Sequence, residues 1–135
     1  MSTAAASPTA TSPLRDIGQI AVRARDLPRA TAFYRDALGL PFLFEAPPSL
    51  AFFQAGTVRL MLSPGETPEF DHASSVLYFT VADIDGAWRT LSGRGVHFRD
   101  EPHVVHRTAQ GALWMTFFED SEGNVLALME QRAGA

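Results

Sequence analysis

The chain contains no cysteine. That excludes disulfide frameworks, thiolate zinc sites and thiol nucleophiles. No apolar run approaches the roughly 20 residues needed to cross a bilayer, so no membrane partner is expected. The opening stretch MSTAAASPTATSP lacks the basic start and apolar core of a secretion signal, and it lacks the arginines of a transit peptide. Residues 1–13 are expected to form a disordered arm, and the cytoplasm is the expected location. A net charge of −4 supplies no basic surplus for nucleic acid. There is no P-loop, no glycine-rich dinucleotide fingerprint and no Ser-His-Asp set.

What remains is 135 residues, 46% hydrophobic and 19% charged, enough for one domain with a proper core. Its clearest segment is D26-L-P-R-A-T-A-F-Y-R-D-A-L-G-L-P-F42. Asp26 can cap a helix and Pro28 fits its first turn. Leu27, Ala30, Phe33, Tyr34, Ala37 and Leu38 share one face. Gly39 can take the left-handed conformation that ends a helix, and Pro41 blocks continuation. A strand over 17–24 precedes it, and strand-like runs over 41–45, 50–54 and 58–62 follow. The order is βαβββ.

A second copy follows. Strand 75–81 leads to Asp83, which can cap a helix carrying Ile84, Ala87, Trp88 and Leu91, with Gly93 and Gly95 able to end it. Strand-like stretches over 96–98 and 103–106 run into one another, and those over 113–119 and 124–130 form a hairpin around D120-S-E-G-N124. Asp26 answers Asp83, Leu27 answers Ile84, Ala30 answers Ala87 and Gly39 answers Gly95, at an offset that drifts slowly. One such unit leaves a sheet edge exposed and a face open. The expected fold is therefore α+β, two βαβββ modules (about 14–66 and 74–132, one domain over 14–132) forming a curved, roughly eight-stranded mixed sheet. The helices cover its convex face and the concave cup is left for a ligand.

The helix pattern D-L-x-x-A-x-x-F-Y-x-x-x-L-G-L, the paired repeat and the hairpin E-D-x-x-G-N-x-L-x-L together resemble the vicinal oxygen chelate superfamily. That superfamily includes glyoxalase I, bleomycin-resistance proteins and extradiol dioxygenases. The resemblance spans Leu14 to about Arg132. It implies a homodimer, and in metal-dependent members four ligands on the cup face, one from the first and one from the fourth strand of each repeat. Here those positions fall on Gln19, Met61, Val76 and Ala127. Val76 and Ala127 have no donor atom, and a one-residue shift brings in Leu60, Ser75 or Leu77, and Leu126 or Leu128, which restore no site. A divalent ion needs several converging donors, so no metal and no cofactor is expected there.

Strand alternation points Gln19, Ala21, Arg23, Arg59, Met61, Val76, Tyr78, Thr80, Val125, Ala127 and Met129 into the cup. Arg59 reads either as a guanidinium that grips a carboxylate or phosphate or as a rim arginine paired locally; Arg23 reads the same way near a strand end. Tyr78 and Trp114 can stack on a planar ligand or pack in the core, and the run W-M-T-F-F leaves the face of Trp114 open. His103 and His106 lie three apart, so on a regular strand they point to opposite faces. His103 can act as a lone acid or base. Glu119 and Asp120 read as turn acids.

Two functions follow. The first is a binding protein that holds a small, partly apolar or anionic molecule without a metal. The second is a glyoxalase-like lyase or isomerase, using either a metal at an unrecognised site or metal-free acid–base chemistry.

Overall fold

Asp26 and Asp83 cap their helices as their positions suggest. In the computed structural model, which describes residues 12–65 and 67–133, one Asp26 carboxylate oxygen accepts from Arg29 N at 3.1 Å. Asp83 accepts from Gly86 N at 3.2 Å. The first helix, α1, runs Leu27–Ala32 and continues as a wider π-helical turn over Phe33–Ala37, where Leu38 N donates to the Phe33 carbonyl. The widened turn accommodates Tyr34, which is wholly buried between Phe33 and Phe53 at ring distances of 5.6 and 5.9 Å. Gly39 then adopts φ +76°, and Gly95 adopts φ +90° after the second helix, α2 (Ile84–Gly93). Both are left-handed positions that favour glycine.

The strands of the first half are β1 (Gln19–Arg23), β2 (Phe42–Ala46), β3 (Leu50–Ala55) and β4 (Val58–Ser63), in sheet order β1-β4-β3-β2. The second half has β5 (Leu77–Thr80), β6 (His97–Phe98), β7 (His103–Thr108), β8 (Gly111–Glu119) and β9 (Val125–Ala133), in order β5-β9-β8, with both β6 and β7 on β8. In each half the first strand runs parallel to the last. The class is α+β as expected, with nine strands in two open sheets among the described residues rather than roughly eight in one. The extra strand comes from dividing the run 96–106. Asp100 turns its carboxylate onto β8, accepting from Phe117 N at 3.0 Å and from the Thr116 hydroxyl at 2.9 Å. That side chain takes the place of backbone pairing, and Pro102 has no N–H to give. The N-terminal arm lies outside the described residues except for Ser12 and Pro13. No described helix is long and apolar enough to cross a membrane.

One core serves both halves. Val22, Tyr34, Phe53, Leu60 and Leu62 from the first pack with Ile84, Phe118, Leu126 and Leu128 from the second. A polar joint sits beside it. Asp120 is 7% exposed and accepts four hydrogen bonds: from Tyr34 OH at 2.7 Å, Asn124 Nδ2 at 2.8 Å, Glu122 N at 2.8 Å and Asn124 N at 2.9 Å. Asn124 Nδ2 also donates to the Arg23 carbonyl of β1 at 2.9 Å. Burial, with the charge and hydrogen bond of Asp120, pushes the Tyr34 hydroxyl far above its ordinary range, so it stays a neutral donor. Glu122 closes the joint. Burial of its carboxylate opposes ionisation, but hydrogen bonds from Arg25 N, the Arg29 guanidinium and Asp26 N outweigh burial and hold it below the usual glutamate range.

Asp120→Ala strands the Tyr34 hydroxyl and the Asn124 amide without their partner, and is expected to cost about 3 kcal/mol in urea unfolding. Tyr34→Phe, which leaves Asp120 three donors, should cost about 1.5 kcal/mol. Equal losses would contradict the arrangement. Because the folded form of Glu122 binds its proton more weakly than the unfolded chain, its contribution is full above about pH 4.3 and is lost as pH falls further. Glu122→Gln should therefore flatten the acid limb of the stability profile, read as thermal midpoints between about pH 5 and 3.

Candidate functional site

Directly paired residues on neighbouring strands project to the same face, so the register assigns each side chain. The rows Ile20–Leu60–Phe53 and Leu77–Leu126–Phe118 point to the helices and the core. The opposite face carries Gln19–Arg59–Gln54 and Ala21–Met61–Phe52–Phe44 in the first half. In the second half it carries Tyr78–Ala127–Phe117 and Thr80–Met129–Met115–His103. This is the candidate ligand face, and Gln19, Arg23, Arg59, Met61, Tyr78, Ala127 and His103 all lie on it. Val76 sits just before β5 with its side chain exposed, and falls on the same face by alternation.

Trp114 does not join them. It pairs with Val104 and Glu130 on the helix side, packs against the core, and has the Arg132 guanidinium 4.3 Å over its ring. Alternation could not place it because both faces of β8 are apolar. The length of the 120–124 turn fixes the hairpin register, and with it the face. The same register puts Phe117 opposite Ala127 on the ligand face, where its ring meets Tyr78 edge-on at 5.9 Å. Ala127 lies in the row between these two rings and is fully buried.

The two arginines differ. Arg59 donates to Gln19 Oε1 at 2.9 Å and lies 5.1 Å over the Phe52 ring. Among the described residues it makes no ion pair. Arg23 is committed: with Arg25 it holds Asp71, at 3.5 and 2.9 Å. Those pairs, and the bond from Arg23 N to Ser74 Oγ at 2.7 Å, fasten the linker between the halves against β1. The linker thereby becomes a wall. A cavity of about 330 Å³ opens between Ala21, Met61, Ser63 and Leu50 on the sheet and Phe70, His72, Ser74 and Ser75 on the linker. Strand alternation assigned neither His72 nor Phe70 to the ligand face. Nothing in linear periodicity signals a loop folding back over a sheet.

His103 and His106 correct an expectation. The register passes from Val104↔Trp114 to His106↔Leu113, so Val105 is an extra, bulged residue. Because Met115 and Leu113 share a face of β8, both histidines lie on the ligand face rather than on opposite ones.

The family's metal positions fail a test of donors. Ala21↔Met61 and Tyr78↔Ala127 are equivalent pairs in the two halves, so the four positions fall in matching places in the two halves. Gln19 Nε2 lies 3.7 Å from Met61 Sδ, but Val76 and Ala127 bring no donor. Among the described residues no three His, Asp or Glu side chains converge. The residues present do not fit the ion, and no chemistry is derived through one at this place.

The family model described as the Glyoxalase/Bleomycin resistance protein/Dioxygenase superfamily matches residues 16–128. The chain belongs to that superfamily. No curated protein matches it significantly. Among solved structures it is similar to a lactoylglutathione lyase from Agrobacterium tumefaciens, with 24% identity, a TM-score of 0.68, and coverage of 88% of this chain and 96% of that one. It is also similar to an antibiotic-binding protein from a Streptomyces species, with 22% identity, a TM-score of 0.72, and coverage of 90% and 100%. At these identities the likeness is one of fold.

Asp71→Ala removes both arginine partners of the linker. Residues 67–75 are expected to become at least tenfold more susceptible to limited proteolysis. Global stability should change by less than about 1 kcal/mol, since exposed ion pairs contribute little.

Proposed function

We propose that this superfamily member is a small-molecule-binding protein that holds a partly aromatic, anionic ligand on the concave face without a metal at the family's usual position. The observation that carries this reading is the composition of that face. Two of the four ligand positions are Val76 and Ala127, while the surface around them offers Tyr78, Phe117, Met61 and an Arg59 that makes no ion pair among the described residues. An apolar wall with a few convergent polar groups suits a small organic ligand. The ring of Tyr78, 49% exposed, is available to stack on a planar body, and the Arg59 guanidinium matches a carboxylate or phosphate. The likeness to an antibiotic-binding protein makes antibiotics the first ligand class to try. Among the described residues the family's metal positions bring together no donor set for the metal-dependent lyase reading. A homodimer is the expected assembly, since pairing would cover the exposed Phe42 and Leu43 on the edge strand β2.

The test is a fluorescence titration with 8-anilino-1-naphthalenesulfonate as a planar aromatic anion, in parallel with bleomycin. Saturable binding is expected to weaken about tenfold in Tyr78→Ala and several-fold in Arg59→Ala, and to be indifferent to chelator. Such losses correspond to about 1.4 kcal/mol per factor of ten. Binding that ignores both substitutions, or lactoylglutathione lyase turnover on adding nickel or zinc, would overturn the reading.

A further inference from the structure

The bulge at Val105 has a chemical consequence that does not depend on the ligand face's organic occupant. A regular strand would send His103 and His106 to opposite faces. One extra residue makes H-V-V-H equivalent to an H-x-H pair on one face, with His103 opposite Met115 and His106 opposite Leu113. Residues two apart along a strand are about 7 Å apart at Cα, a spacing from which two imidazoles can converge on one ion.

His103 is also oriented. Its Nδ1 lies 2.8 Å from the Glu101 carbonyl oxygen, which can only accept, so Nδ1 carries the proton. In the neutral ring this tautomer places the lone pair on Nε2, where it can coordinate. A histidine ligand whose other nitrogen donates to a carbonyl is the usual outer-shell arrangement at metal sites. Both rings are exposed, and Arg107 pairs with Ala112 on the helix side, so its charge does not face the pair.

The third donor type selects the metal. Met115 is the direct cross-strand neighbour of His103, and Met129 follows it in the same row. Imidazole suits copper, nickel and zinc, whereas thioether selects copper, most strongly Cu(I). The chain has no cysteine, so no thiol elsewhere competes for a soft ion. We propose that His103, His106 and Met115 form a copper-ion site on the outer edge of the ligand face, separate from the family's usual metal positions.

The test is competition for Cu(I) supplied as its bicinchoninate complex, without oxygen. One equivalent is expected to transfer to the protein. Affinity should fall at least tenfold in His106→Ala and in His103→Ala, and several-fold in Met115→Leu. His97→Ala, altered outside the set, should bind as the wild type does. Proton NMR of the unaltered protein supplies a second measurement: substoichiometric Cu(II) should broaden the ring signals of His103 and His106 before those of His72 and His97. No transfer of Cu(I), equal affinity in the His103→Ala/His106→Ala double variant, or uniform broadening of all four histidines would overturn the proposal.

Discussion

One buried carboxylate, Asp120, is the polar tie set beside the core that the two halves share. Each sheet ends on an edge strand, β1 or β5, that among the described residues pairs only with the last strand of its own half. Among the described residues no strand pairing joins them. The shared core does, and Asp120 adds a polar tie by accepting from Tyr34 on the first helix and from Asn124, whose amide also reaches the β1 carbonyl of Arg23. A buried carboxylate is costly unless its lone pairs are satisfied. Four donors satisfy this one, and the tyrosine, held neutral, contributes a hydrogen bond without adding a second charge. Glu122 extends the joint to the start of α1. The two motifs that look unrelated in the sequence, D-L-x-x-A-x-x-F-Y and E-D-x-x-G-N, are the two sides of one contact.

With the halves fixed, their differences decide the character of the ligand face. Ala21 and Tyr78 occupy equivalent positions, as do Met61 and Ala127, and Gln19 and Val76. Small Ala21 leaves room in the first half, and the cavity lies there, closed by the linker that Arg23 and Arg25 hold through Asp71. In the second half Tyr78 and Phe117 fill the corresponding space and bury Ala127. A duplicated frame thus carries an open polar-edged half and a filled aromatic half. At Val76 and Ala127, two of the four positions that the family resemblance implies for metal donors, this chain presents side chains without a donor atom.

Much of this was legible in linear order. Asp26 and Asp83 cap, Gly39 and Gly95 terminate, and alternation sorted Gln19, Arg59, Met61 and Tyr78 onto one face, because caps and strand parity depend on residues within one or two turns of each other. Trp114 was illegible for the opposite reason: with apolar residues on both faces of β8, parity carries no information until the partner strand sets the register.

The sequence by itself determined the class, the duplication, the helix ends and the absence of donors at Val76 and Ala127, all of which are local properties of residue type and spacing. Only the tertiary structure decided the division of one strand by the Asp100 side chain, the return of the linker over Ala21, and the bulge that turned His106 to the side of His103. Each of these depends on which backbone or side-chain group a segment meets across the fold. A chain read in order contains the groups but not the pairings.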